Sequence, residues 1–284
     1  MKILIVHGPG DHPTSYPEAL AAELGRLQCD PTVRRLPDTG SWASRLRLAA
    51  AARRMIGDSG SEIVHVISPY ASVAEAFTGY GASVVHSTID RPSKSDWVIA
   101  PSREAFARVR KKGKFLDYRV ACLPFALDPG EAAFGAGSYA LARLDPADRV
   151  AARWVEEAAL AAPDVPVRDE GDVREARFLI YASSHPEAWP SGVAEALAVG
   201  RPVIATWGGA ASEFVGEAVS GFLCAPGDTA GLAANMDYLW THPGESLFMG
   251  IQAREEAKEL FGAEAHAKTL IKLYLRAGAS RLAV

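Results

Sequence analysis

Cysteine is scarce in this sequence: three in 284 residues, at Cys29, Cys122 and Cys224. They are far apart and odd in number. They make no metal-ligand spacing and no disulfide framework, which fits a reducing cytoplasm. Long apolar runs are absent, and none approaches the roughly 20 residues that cross a bilayer. An excess of basic charge is missing too. The formal charge is −4, so no global field draws the chain to nucleic acid or to a membrane. The opening run from Met1 to His7 is too short for a secretory leader and reads as a strand. There is no low-complexity tract and no periodic repeat.

What remains is a globular composition, 49% apolar and 23% charged. Short apolar strands alternate with helical stretches. Ile3–Val6, Ile63–Ile67, Ser83–His86, Trp97–Ala100 and Val120–Leu123 read as strands of a first half. Tyr139–Leu141, Phe178–Ala182, Pro202–Thr206 and Gly221–Cys224 read as strands of a second. This alternation predicts α/β architecture: two Rossmann-like, doubly wound parallel-sheet domains facing a cleft. The stretch from Pro124 to Gly137, with two prolines and three glycines, reads as the hinge. The expected domains are 1–127 and 128–262. An amphipathic helix over 263–284 is expected to pack back toward the first. Ligands of such sheets bind beyond the carboxyl ends of the strands.

One stretch, from Pro186 to Thr206, carries chemistry. Glu187 sits in a loop stiffened by Pro186 and Pro190. A helix over Gly192–Val199 follows, with Ser191 read as its cap. The free N–H groups and the dipole of its first turn make an anion site. A capping box needs Glu or Gln at the third helical position, where Ala194 stands. Glu195, one turn in, is therefore spare for a ligand. Taken alone, two acids at this spacing are what a solvated surface ordinarily carries.

Their surroundings change the reading. Trp207-Gly208-Gly209 follows the Val203 strand, then a helix with Glu213, then Gly221-Phe222-Leu223-Cys224-Ala225-Pro226-Gly227-Asp228. In this order and spacing the block resembles the retaining glycosyltransferases of family 4, which have the GT-B fold. Weaker likenesses in the first half are Glu62–Val66, Val98–Ser102 and Leu123–Asp128. The chain is a shortened form: only about one helix and one strand, at Val165–Val167, fit between Arg143 and Phe178.

The resemblance implies transfer of a sugar from a nucleotide diphosphate sugar to a hydroxyl acceptor, with retention and without a metal or other cofactor. The first domain would be the acceptor side and the second the donor side. Glu195 matches the acid that binds the ribose hydroxyls, and Glu187 the acid that contacts the donor sugar. Amides around Ser191, Gly192, Gly208 and Gly209 would lie near sugar and diphosphate. Trp189 and Trp207 would stack on base or sugar, or simply pack the loops. Gly8 and Gly10, after the first strand, would offer backbone N–H groups, or form only a turn.

Two departures stand out. The family's arginine matches Arg143, but its lysine falls on Asp148, with Arg149 beside it. Arg143 and Arg149 either grip the diphosphate or are the solvated start of a helix. The histidine that many relatives carry before an Asp falls on Ile89, before Asp90. His7, His12 and His86 are the nearby alternatives, each more ordinary as a loop or sheet-edge residue. The run Arg108, Arg110, Lys111, Lys112 and Lys114 reads as a solvated helix end or as a contact for an anionic lipid or nucleic acid. The two departures keep open a relative that binds nucleotide sugars or glycans without turnover, and the small size with the basic run keeps open an enzyme that glycosylates modified nucleic-acid bases.

Overall fold

The computed structural model describes residues 1–8, 15–36, 42–68, 70–90, 92–113 and 119–282. Within these the chain divides into two compact units, Met1–Ala126 with Gly262–Val284, and Leu127–Phe261.

The first unit holds a six-stranded sheet. Its strands are β1 (Lys2–His7), β2 (Asp30–Arg35), β3 (Ile63–Ile67), β4 (Ser83–Ser87), β5 (Trp97–Ala100) and β6 (Val120–Cys122). They run in the order β2-β1-β3-β4-β5-β6, with every pairing parallel. β1, β3, β4 and β5 are buried nearly throughout, which is why they read as continuous apolar runs. β2 gives no such signal. It is an edge strand, Asp-Pro-Thr-Val-Arg-Arg, with no residue fully buried, and Pro31 is tolerated there because an edge needs fewer donors. Leu4, Val6, Val64, Val66, Phe77 and Val84 form much of the core.

Helices α1 (Tyr16–Arg26), α2 (Trp42–Ser59), α3 (Ala71–Glu75) and α4 (Arg103–Lys112) connect the strands. Ser102 caps α4, accepting from the Ala105 N–H at 3.0 Å. The final helix, α10 (Ala263–Leu282), packs on α1 and β4. Polar contacts fix its seat. The His65 Nδ1 lies 2.6 Å from the Tyr274 hydroxyl and its Nε2 2.7 Å from Ser87 Oγ. The His266 Nε2 lies 2.8 Å from the Tyr16 hydroxyl. His65 and His86 are fully buried and His266 nearly so.

The second unit holds β7 (Ala140–Ala142), β8 (Val167–Arg168), β9 (Phe178–Tyr181), β10 (Val203–Thr206) and β11 (Gly221–Cys224). The order is β11-β10-β9-β7-β8, again all parallel. Strand order reverses between β7 and β9, the switch point at which such sheets open a crevice at their carboxyl ends. The helices are α5 (Arg149–Ala161), α6 (Ser191–Val199), α7 (Ala211–Phe214), α8 (Thr229–Thr241) and α9 (Pro243–Phe261). Phe178, Ile180, Ile204, Met236 and Leu239 fill the core. The shortening foreseen between Arg143 and Phe178 is real: α5 and the two-residue β8 are all the regular structure there. α9, not foreseen, faces inward with Ser246, Met249, Gly250, Ala253, Ala257 and Phe261.

Candidate functional site

The switch point of the second unit opens into a hollow of about 760 Å³. Its walls come from the ends of β7 and β9 and the starts of α5 and α6. Arg143, Arg149, Glu187, Ser191, Gly192 and Glu195 all line it. Residues 52 positions apart in sequence thus meet in one depression of the size that holds a mid-sized ligand.

α6 supplies the anion-binding end. Its cap position is Pro190, with no side-chain cap, and Ser191 is the first helical residue rather than the cap read from sequence. The Pro190 carbonyl accepts from the Val193 and Ala194 N–H groups at 3.1 and 3.2 Å. The Ser191 and Gly192 N–H groups have no partner among the described residues. On α6 only Ser191, Gly192 and Glu195 escape full burial, so one narrow polar face looks into the hollow. Gly192 matters here: a Cβ would lie 3.5 Å from the Arg143 Cβ, in ordinary contact, so the glycine leaves room rather than preventing a clash.

Glu195 is exposed at this face, yet the packing around its carboxyl raises its pKa, and the Arg143 charge works against that rise. Arg143 itself is not a loose cation. Its guanidinium donates to the Gly171 carbonyl at 2.8 Å and to the Asp169 carbonyl at 3.3 Å. Those bonds hold it at the hollow, and no carboxylate of the described residues lies within 4.0 Å of its guanidinium.

At Asp148, where the resemblance leads one to expect a lysine, the structure has a helix-capping acid. Asp148 caps α5, accepting from the Ala151 N–H at 3.0 Å. It also accepts from the Ser184 N–H at 2.7 Å and the Ser184 hydroxyl at 2.8 Å. Burial opposes its ionisation, but these hydrogen bonds and the nearby His185 outweigh burial and hold its pKa below the usual range. Arg149 is the first residue of α5 and exposed. A cation at a helix start is opposed by the dipole, so an anion in the hollow relieves it.

Glu187 is half-buried in the loop after β9, and its carboxylate lies beside the buried Tyr181 hydroxyl, whose pKa is raised by burial and then by Glu187 and Asp145. Gly208 and Gly209 both have left-handed backbones, φ 130° and 58°. Gly208 borders a smaller hollow of about 90 Å³ together with Glu187 and the exposed Trp207. Gly209 lines neither hollow; it packs on the Glu187 backbone. Trp189 is 7% exposed and meets Phe214 and Phe261 edge-on at 5.4 and 5.8 Å. It thus packs the loop onto the ends of α7 and α9, and it also lines the larger hollow.

His185 was missed in the sequence, although it borders both hollows and is exposed. Its signal is a single histidine two residues before Glu187. Gly8 follows β1 in the first unit, and Gly10, His12 and Lys114 lie outside the described residues. In the basic run, Arg108 pairs with Glu104 at 2.8 Å and Lys112 with Asp90, while Lys111 is exposed. Among the described residues no group of three or more His, Cys, Asp or Glu side chains is placed to hold a metal ion. None of the described helices is long and apolar enough to cross a membrane.

Residues 173–256 match the family model of glycosyl transferases group 1. That stretch contains Glu187, Glu195 and the Gly208-Gly209 turn. Solved structures agree over nearly the whole chain. A glycosyltransferase from Rickettsia africae ESF-5 superposes with a TM-score of 0.74 at 15% identity, covering 97% of this chain and 98% of that one. The sucrose-phosphate synthase of Thermosynechococcus elongatus gives 0.74 at 16%, covering 98% and 99%. Anabaena HepE, crystallised with UDP and glucose, gives 0.70 at 14%, covering 96% and 98%. The fold is that of the GT-B glycosyltransferases, in which two parallel-sheet α/β regions make up the chain. At these identities the structural likeness speaks to fold alone. No curated protein matches the sequence.

Proposed function

We propose that the protein is a glycosyltransferase that moves a sugar from a nucleotide diphosphate sugar to a hydroxyl acceptor with retention of anomeric configuration. The observation that carries this reading is the meeting of Glu187, Glu195 and the free start of α6 in one hollow, inside the stretch that matches the family model. HepE, crystallised with UDP-glucose as well as with UDP, supports a donor of this chemistry.

In this reading Glu195 accepts hydrogen bonds from the ribose hydroxyls and Glu187 from the sugar. The diphosphate lies against the Ser191 and Gly192 N–H groups, where the α6 dipole favours negative charge. Arg143 and Arg149 offset the charge that grows on the leaving phosphate as the glycosyl bond breaks. That phosphate oxygen takes the acceptor's proton, so the protein needs to supply position and charge more than a base. A thermal-shift screen against UDP-, GDP-, ADP- and dTDP-sugars tests the donor assignment. Glu195→Ala should abolish the best shift; an unchanged shift overturns it.

A second reading is favoured by Asp148. With a capping carboxylate where relatives have a lysine, one cation of the usual machinery is gone. The protein would then hold a nucleotide sugar without turning it over. Release of free nucleotide in the presence of donor, with or without acceptor, separates the two readings.

A further inference from the structure

The second unit has another cavity, of about 410 Å³, at the opposite ends of the same strands. Arg177 immediately precedes β9, and Arg201-Pro202 immediately precede β10. The start of α9 closes one side with Pro243, Gly244 and Leu247. Phe134, packed on Gly200, closes the other.

The charges of this cavity are unbalanced. Arg201 is 5% exposed, and its guanidinium reaches only carbonyls: Nη1 donates to Gly135 at 2.6 Å and Nη2 to Arg174. Its Nε is buried with no partner. Arg177 lies over the Trp240 ring at 4.0 Å and donates to the Ala136 and Trp240 carbonyls at 2.6 and 2.5 Å. Its Nη2 has no partner among the described residues. No Asp or Glu side chain among the described residues lines the cavity. Arg201 is withdrawn from water and Arg177 partly so, without a carboxylate beside either, which is costly, and burial lowers the pKa of each. The start of α9, where Gly244 lines the cavity, adds a positive dipole end. The carboxyl end of α6 does not cancel this, because its last carbonyls are taken: Ala198 by Arg254 at 2.7 Å and Val199 by the Ala133 N–H at 2.8 Å.

Around this positive floor the rim is apolar and open, with Phe134 46% and Leu247 44% exposed. We propose that the cavity is a second ligand site, for an organic anion that places a carboxylate or phosphate against Arg177 and Arg201 and an apolar body between Phe134 and Leu247. It is independent of the donor reading. α6 joins the two places, since Ser191 and Glu195 face the donor hollow and Gly200, its left-handed cap, lines this one.

Titration calorimetry with 2-naphthoate, its neutral analogue 2-naphthylmethanol and inorganic phosphate tests this on the whole protein. Naphthoate should bind one site, at least tenfold tighter than either the neutral analogue or phosphate. Saturating UDP should leave that binding unchanged. Leu247→Glu, at an exposed position near the start of a helix, should abolish it while leaving the melting temperature within a few degrees. Arg177→Met should weaken it at least fivefold. Equal binding of the neutral analogue, displacement by UDP, full binding by Leu247→Glu, or no naphthoate binding at all would each overturn the proposal.

Discussion

Gly209 lies flat against the backbone of Glu187: a Cβ added to it would come within 2.5 Å of the Glu187 nitrogen and 2.6 Å of its oxygen. The next residue ties the two loops together, the Ala210 N–H donating to the Glu187 carbonyl at 2.8 Å. The acid that the reading gives to the sugar is therefore held from behind by a glycine turn after a different strand. Gly209→Ala meets both the clash and a left-handed φ of 58°. It should cost about 2 kcal/mol or more and weaken donor binding, read by thermal denaturation and by the nucleotide-sugar shift on the same sample. Unchanged stability would mean that the Glu187 loop moves freely.

Asp148 should matter to stability more than a surface acid does. Its carboxylate caps α5 and clamps Ser184 with both oxygens. Asp148→Ala should lose about 1–2 kcal/mol from the cap and more from the two Ser184 contacts. The sign of the pH effect follows from its lowered pKa: the contribution is complete above the unfolded value near 4 and fades as pH falls through the folded value. Denaturant titration at pH 7 and pH 3 should find a smaller difference between the two proteins at the lower pH.

These two residues mark what the sequence could and could not tell. Strands buried on both faces, such as β9 and β10, announce themselves as apolar runs, and the pair Glu187 and Glu195 stood out once its neighbours were read. β2 did not, because an edge strand of polar residues has no periodic face. α9 did not, because part of its buried face is small: Gly250 sits so close to Gly200 that a Cβ would reach the Gly200 oxygen at 2.3 Å. A face built for close approach carries little hydrophobic signal. Ser191 reads in the sequence as a cap, when Pro190 holds that place. That shift of one residue at a helix start changed a side chain's role, and helix starts are what periodicity locates least well. The cavity around Arg177 and Arg201 is assembled from four separate stretches and leaves no local pattern at all.

The first unit should be sensitive to mild acid. Burial pushes the pKa of His65 down to about 3, helped by the charges of His266 and His86, and burial likewise pushes His86 and His266 down to about 4. Unfolding frees all three to take up protons near pH 6.5. Stability is therefore full above that pH and falls as pH drops from 6.5 toward 4, with a slope approaching about 4 kcal/mol per unit when all three differ in protonation. Melting curves between pH 7.5 and 4.5 check the direction. Tyr274→Phe, which leaves the His65 Nδ1 without its 2.6 Å partner, should cost about 1–3 kcal/mol at neutral pH.

Donor affinity should titrate through Glu195. Its pKa is raised by the packing around the carboxyl, against the pull of Arg143. If the carboxylate accepts the ribose hydroxyls, protonation removes that acceptor, so affinity falls as pH falls. The loss should begin above the range near 4.3 where an ordinary glutamate titrates. Glu195→Gln keeps the shape but not the charge. It should bind the best nucleotide about tenfold more weakly at pH 7.5, a difference of about 1.4 kcal/mol, with a flatter pH dependence. It should also lose most of the wild-type preference for that nucleotide over its 2′,3′-dideoxy analogue. A variant that keeps the same slope and the same preference would place the ribose elsewhere in the hollow and leave Glu195 with the bulk of the surface acids.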